Sequence, residues 1–447
     1  MSSSANPLGY REAEHALLSR WPESRMEPSL DRIRALCDVL GNPQTGYPAV
    51  HLTGTNGKTS TSRMIDTLIT ATGLRTGRFT SPHVESMTER ICVDGEPLSE
   101  EAFVAAYQDV APYLDIVDAV EPIRLSFFES IVGMALATFA DAPVDAAVVE
   151  VGLGGAWDAT NVVDAAVAVL LPIAVDHEKY LGDRPEVIAR EKAGIIKPGA
   201  TAVVAEQLPE VAAVIVEHAT EVGATLLWEG VDFAVEHRVP AVGGQMLRLR
   251  GLRASYDDVF VPLYGAHQGQ NAVLALAAVE AFLGDEPLDA DLVLGAFAEV
   301  TSPGRLEVVR RSPTIVLDAA HNPHGAKAAA EALEDSFAFN PMIGVVGVMA
   351  DKDYEGVLAA FEPVFAELVV TQNSTPRALP ARELAEVARG IFGPDRVHVA
   401  PRLDDAIEMA TNLADTGGVY GSGGVVITGS VVTIGEARTL LRPRGSA

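Results

Sequence analysis

Residues His51–Thr61 read HLTGTNGKTST, and the interpretation of this stretch decides the fold. A strict phosphate loop, G-x-x-x-x-G-K-[ST], would place glycine at 52, where this chain has Leu52. Its glycines are Gly54 and Gly57, followed by Lys58 and Thr59. The physical requirements are nevertheless met. A short apolar run, YPAVHL (47–52), reads as the strand, and TSRMIDTLITAT (61–72) follows at helical spacing. Between them the glycines free the backbone to aim N–H groups at an anion lying on a helix N-terminus. Lys58 supplies charge for outer phosphates, and Thr59 a hydroxyl for Mg²⁺. The alternative is an ordinary strand-to-helix turn, common in α/β folds.

Outward from the loop, strand and helix alternate. VDAAVVEVG (144–152) and AAVAVLLPI (165–173) are continuous apolar runs, as expected for parallel strands covered on both faces. SFFESIVGMALATFA (126–140) and HQGQNAVLALAAVEAFL (267–283) read as helices. Between about 225 and 263 the pattern changes to short alternating segments (FAVEHRV, QMLRLR, DDVFVPLY), which predicts a small antiparallel patch. TSPGRLEVVRRSP (301–313) predicts a boundary. Beyond it TIVLD, MIGVVGV, ELVVT, RVHVA and GVVITG alternate with helical segments. The expected fold is therefore α/β: a phosphate-loop domain with a mostly parallel sheet over 1–302, then a Rossmann-like domain over 303–447.

Composition limits the function classes. With 447 residues, two domains are expected. Against 33 basic residues stand 61 acidic ones, a net charge of −28 that repels nucleic acid and anionic membrane. The longest apolar run, AAVAVLLPIAV (165–175), is shorter than the roughly 20 residues a spanning helix needs. Cys37 and Cys92 form no metal-ligand spacing and no disulfide framework, which with the absence of an apolar leader predicts a cytoplasmic protein.

Further along, VVEVGLGGAWDATN (148–161) ends a strand in Glu150 and a glycine-rich bend, and DHEKYLG (176–182) sets His177 beyond the next strand. Carboxylates at the C-terminal ends of parallel strands are where Mg²⁺ and ligands collect. Glu150 and His177 are candidate metal ligands, although a lone histidine is more often structural. TSPHVESMTERI (80–91), taken alone, is a surface loop.

Together these segments resemble the folylpolyglutamate synthase/dihydrofolate synthase branch of the Mur-ligase-like amide ligases. The resemblance is carried by LGNPQ (40–44), TGTNGKTST (53–61), TSPH (80–83), ERI (89–91), VEVGLGG (149–155) and DATN (158–161). It continues through DH (176–177), YLG (180–182), EKAGI (191–195), HQ…N (267–271), PGRLE (303–307), DAAHNPHG (318–325), DKD (351–353) and TGS (428–430). The family's loop is T-G-T-x-G-K, which accounts for Leu52.

The resemblance implies ATP-dependent addition of L-glutamate to reduced folates and to dihydropteroate through an acyl phosphate. It implies two Mg²⁺ ions, allows K⁺, and suggests a monomer. ATP is expected at Thr55, Asn56, Gly57, Lys58, Thr59, Ser60, Asn271, Arg305 and Asp318, and metal at Thr59, Ser81, Glu150 and His177. Pteroate is expected at Ser126, Phe128, Gly155 and Asp158, and glutamate at His321 and Ser430. Lys58, Lys192 and His321 are the expected catalytic residues, Lys192 as its CO₂ carbamate; a plain helix lysine is the alternative reading. For His321 the alternative is helix capping, and for Arg305 a linker salt bridge. Ala156 stands where the family commonly has arginine, and Lys179 where many members have an acid. A monofunctional synthase remains an alternative. A muramyl-peptide ligase would place about a hundred residues ahead of the loop, whereas 52 precede Thr53.

Overall fold

The computed structural model describes residues 8–22, 27–416 and 422–442. It resolves into two compact units. One comprises the chain to 236 with 248–259 and 270–299; the other comprises 237–247, 260–269 and 300 onward.

The first unit is built on an eight-stranded sheet. Its strands are β1 (Ala49–Thr53), β2 (Thr76–Phe79), β3 (Ile91–Val93), β4 (Glu96–Pro97), β5 (Ala146–Glu150), β6 (Val167–Leu170), β7 (Thr201–Val204) and β8 (Thr225–Trp228). Their order is β4-β3-β2-β5-β1-β6-β7-β8, so the phosphate-loop strand lies near the middle. All neighbours are parallel except at the β4-β3-β2 edge. Both faces are covered, which is why β1, β5 and β6 are apolar almost throughout. On one face Ala147 and Val149 pack with the helices Asp31–Val39, Glu100–Val120 and Phe127–Asp141. Farther along the same face, Ala168, Leu170, Ala202 and Val204 pack with Pro185–Ala193 and Pro209–Val222. The phosphate-loop helix, Lys58–Ala71, lies against β2 and β5 and buries Met64, Ile65, Leu68 and Ile69.

The predicted antiparallel patch is a three-stranded sheet in the order β11-β10-β9, from β9 (Ala234–Ala241), β10 (Gly244–Arg250) and β11 (Ser255–Val261).

In the second unit, β12 (Glu307–Arg311), β13 (Thr314–Leu317), β14 (Met342–Val346), β15 (Glu367–Val370), β16 (Val397–Val399) and β17 (Gly424–Thr428) form a six-stranded sheet. Its order is β12-β13-β17-β14-β15-β16. Only β12 runs antiparallel, so part of the predicted boundary segment is an edge strand. Side chains alternate between faces at the period of two that a strand imposes. Val316, Val346 and Val426 join one core, while Ile315, Leu317, Val345, Val425 and Ile427 join the other. Among the described residues no helix is long and apolar enough to cross a membrane.

Candidate active site

The loop between β1 and its helix turns at Gly57, whose φ of +86° lies in the left-handed region that glycine adopts without steric cost. Space excludes other residues too. A Cβ there would lie 2.7 Å from Asn271 Oδ1 and 2.8 Å from Leu171 Cδ2. Asn271 is therefore brought directly against the loop. Thr55 ties the loop to the segment after β6: its hydroxyl donates to Ala174 O and accepts from Ala174 N, both at 2.9 Å. Asn56 sits in the turn, and Ser60 is buried in the first helical turn.

Glu150, the last residue of β5, is buried and accepts a 3.0 Å hydrogen bond from the Thr59 hydroxyl. β2 runs beside β5 with Phe79 opposite Val149, so Ser81 leaves the sheet at the same edge. His177 begins the short helix Glu178–Leu181 with a φ of +54°, and its side chain is partly exposed, 3.9 Å from Asp176. Among the described residues no three His, Cys, Asp or Glu side chains gather into a metal cluster. A hydroxyl and a carboxylate meeting at one point do fit Mg²⁺, which prefers oxygen donors and usually takes one or two carboxylates plus substrate phosphates.

Lys192 lies in the helix Pro185–Ala193, 3% exposed. Its ammonium donates to Gly54 O at 3.1 Å, and Lys58 donates to the same carbonyl at 3.0 Å. Two cations thus share one acceptor. Burial, and then the charge of Lys58, pull Lys192 from the ordinary 10.5 down to about 7. At neutral pH about half of it is a free amine, the form that reacts with CO₂. It is not a solvated helix lysine.

The bend after β5 forms a second loop beside the phosphate loop. The Phe128 ring lies against Gly152, where a Cβ would come within 2.4 Å of it, and edge-on to Phe79. Gly155 lies so close to Glu191 O and Lys192 O that a Cβ would be 2.8 and 2.9 Å from them. Asp158 is buried and accepts from Leu153 N and Thr160 N, both at 2.9 Å, and from the Thr160 hydroxyl. Much of its acceptor capacity is thus spent on shaping the bend. Ser126 caps the helix Phe127–Asp141, accepting from Glu129 N at 3.1 Å, in a capping box with Glu129.

In the second unit, Asp318 follows β13 and accepts from Leu306 N at 3.0 Å and Ala320 N at 2.9 Å. Burial pushes its carboxyl up and Arg305 pulls it back, so Arg305 and Asp318 are electrostatic partners. His321 Nδ1 lies 2.9 Å from Ala319 O. Capping of the following helix falls to Asn322, which accepts from Gly325 N at 2.8 Å. Ser430 likewise caps its helix, accepting from Val432 N and Thr433 N. β13 and β17 are neighbours, and Gly429 N donates to Ala320 O at 3.1 Å, so the loops carrying His321 and Ser430 meet.

Sequence reasoning passed over several residues. Glu191 accepts from Gly155 N and Trp157 N and thereby holds the bend. Arg78 and Asp66 form a buried 2.6 Å ion pair between β2 and the phosphate-loop helix. His51 and Thr53 bond across to the bend from β1. For His51, Thr53 and Arg78 a polar or charged residue inside a buried strand was the available signal, since such groups are buried only with partners.

Comparison with known proteins places the chain in a family. The Mur ligase middle domain matches residues 52–279, and the Mur ligase glutamate ligase domain matches 304–431. The chain is 51% identical to the dihydrofolate synthase/folylpolyglutamate synthase of Mycobacterium tuberculosis, over 96% of this chain and 93% of that one. The structure of the Mycobacterium tuberculosis folylpolyglutamate synthase with ADP superposes with a TM-score of 0.93 at 51% identity, covering 97% of this chain and 98% of that one. A complex of FPGS with AMPPCP and folate superposes at 0.85 with 31% identity, covering 98% and 100%. The chain belongs to the dihydrofolate synthase/folylpolyglutamate synthase branch of the Mur ligase family.

Proposed function

We propose that this chain is an ATP-dependent ligase that adds L-glutamate to reduced folates and to dihydropteroate. One observation carries the reading: Lys58, the Thr59–Glu150 pair and Lys192 converge at the C-terminal ends of the central strands β1 and β5, beside a glycine bend walled by Phe128. Relatives solved with ADP, and with AMPPCP and folate, support it.

In the first step a carboxylate oxygen of the folate attacks the γ-phosphorus of ATP, and the bond to the ADP oxygen breaks. The α-amine of glutamate, having lost its proton, then attacks the acyl carbon. Inorganic phosphate leaves and an amide remains. Two anions must meet, so the protein's task is charge neutralisation and alignment. Lys58 and the N–H groups of Asn56, Gly57, Thr59 and Ser60 hold phosphates, the Thr55 N–H is spent on Pro172 O at 3.1 Å and so only shapes the loop, and Asn271 bounds the nucleotide pocket. Thr59 and Glu150, with Ser81 and His177, would hold Mg²⁺, which screens the phosphate charge when bound. Carbamylated Lys192 becomes an anion that relieves its clash with Lys58 and positions the acyl phosphate.

Gly155, Asp158, Phe128 and Ser126 shape the pteroate side. Arg305 and Asp318 are nucleotide residues in this reading, and His321 and Ser430 serve glutamate. The functional boundary falls at 302/303, and the enzyme acts as a monomer in the cytoplasm. A role for K⁺ is tested by exchange for Na⁺. The experiment is phosphate release from MgATP and L-glutamate with dihydropteroate or tetrahydrofolate in turn. Turnover requiring both glutamate and acceptor is expected; phosphate release indifferent to glutamate would refute the reading.

A further inference from the structure

β1 does more than lead into the phosphate loop. Thr53, its last residue, is fully buried, and its hydroxyl donates to Gly154 O at 2.8 Å. Two residues earlier, on the same face, His51 is also fully buried, with Nε2 2.9 Å from the Thr160 hydroxyl. That hydroxyl donates its one proton to Asp158, so it can only accept from His51. His51 therefore carries its proton on Nε2, and Nδ1 remains buried with no hydrogen-bond partner. Burial, and then Lys197, pull the imidazole down to about 3, so it is neutral.

A neutral histidine with one unsatisfied nitrogen inside a central strand costs stability compared with valine or leucine. Its return is the contact with Thr160. The bend from Gly152 to Thr160 thus hangs from β1 at two points, Gly154 and Thr160. One residue beyond Thr53, the Gly54 carbonyl receives both Lys58 and Lys192.

We propose that Thr53 and the His51–Thr160 contact are positioning elements that fix the acceptor bend relative to the phosphate loop. They thereby set the separation between the folate carboxylate and the γ-phosphorus. This rests on the ligase reading above. Neither side chain need touch a substrate. Reacting atoms must approach to about 3–3.5 Å, and a shift of about 1 Å costs about 100-fold in rate.

The test uses the full chain with Thr53→Val, which keeps the side-chain shape and removes the donor, and Thr53→Ser, which keeps the donor. His51→Leu addresses the second contact should Thr53→Val fail to fold. AMPPCP and folate affinities are measured separately by calorimetry, and kcat by phosphate release with saturating substrates. The expected result is a kcat lowered about 10- to 100-fold in Thr53→Val and His51→Leu. Each ligand should bind within about twofold of wild type, and Thr53→Ser should restore turnover. A Thr53→Val enzyme with wild-type kcat would overturn the proposal. So would loss of folate binding itself, which marks simple collapse of the bend. If the wild type shows no glutamate-dependent turnover, the ligase reading falls first and takes this inference with it.

Discussion

Lys192 offers the sharpest physical test, because its burial makes two opposite demands that can be measured separately. Its ammonium is drawn from 10.5 to about 7 by burial and by Lys58. At pH 7 the neutral amine is then about half of the population, against about one part in 3,000 for an ordinary lysine, a gain of about 1,500-fold in the form that attacks CO₂. Incubation with ¹³C-bicarbonate at pH 8 should give a carbamate NMR signal that is absent in Lys192→Met and fades as the pH falls below 7. Stability provides the second arm. Because the folded-state value is the lower one, the charged lysine penalises the fold: nothing above pH 10.5, a growing cost as pH falls through the window to 7, and the full cost below it. The full cost is on the order of 5 kcal/mol. In CO₂-free buffer at pH 7, Lys192→Met should therefore melt at a higher temperature than wild type while losing ligase activity. A Lys192→Met protein no more stable than wild type, together with no lysine-dependent carbamate signal, would refute the reasoning.

Gly57→Ala forces a Cβ into Asn271 and Leu171 at a positive φ. It should cost about 1–3 kcal/mol of stability and abolish ADP binding by calorimetry. Glu150→Gln removes the carboxylate charge beside Thr59; the gain in ADP affinity on adding Mg²⁺ should drop by about 10-fold or more, whereas ADP affinity without Mg²⁺ should hold. Arg78→Met leaves Asp66 charged and buried. It should destabilise by about 3–5 kcal/mol in urea unfolding, and adding Asp66→Leu should recover most of the loss.

What the sequence revealed follows from how local each signal is. HLTGTNGKTST announced strand, turn and helix within eleven residues because strand, glycines, lysine and hydroxyl are consecutive. Five of the six strands of the second unit were legible as apolar runs, and β13, β14, β15 and β17 are buried along nearly their whole length. Strand β2 was not: TGRF carries a charged residue at its centre, tolerable only because Asp66, from the phosphate-loop helix, pairs with Arg78. β12 was hidden in a proline-bearing linker, since an edge strand needs no apolar continuity. The long helix Glu100–Val120 was masked by its internal Pro112.

At the site, the end of a parallel strand brought forward Glu150 and the resemblance brought forward Lys192, but their environment was set by long-range packing. Nothing near Lys192 in the chain indicates that Gly54 O, 138 residues away, would receive its ammonium together with that of Lys58. Ser126 and Ser430, expected as ligand contacts, are occupied as helix caps, a use their positions ahead of apolar helices would also have indicated. For His51 the sequence carried only a polar residue inside an apolar strand, and its partner Thr160, 109 residues distant, could not be read from it.

The central claim is that this site joins glutamate to a folate carboxylate. Mass spectrometry of tetrahydrofolate and of dihydropteroate, each incubated with the enzyme, MgATP and L-glutamate, tests it most directly. Both acceptors are expected to gain a glutamyl residue, with one phosphate released per bond formed. Unchanged acceptors in the presence of bound nucleotide would contradict it.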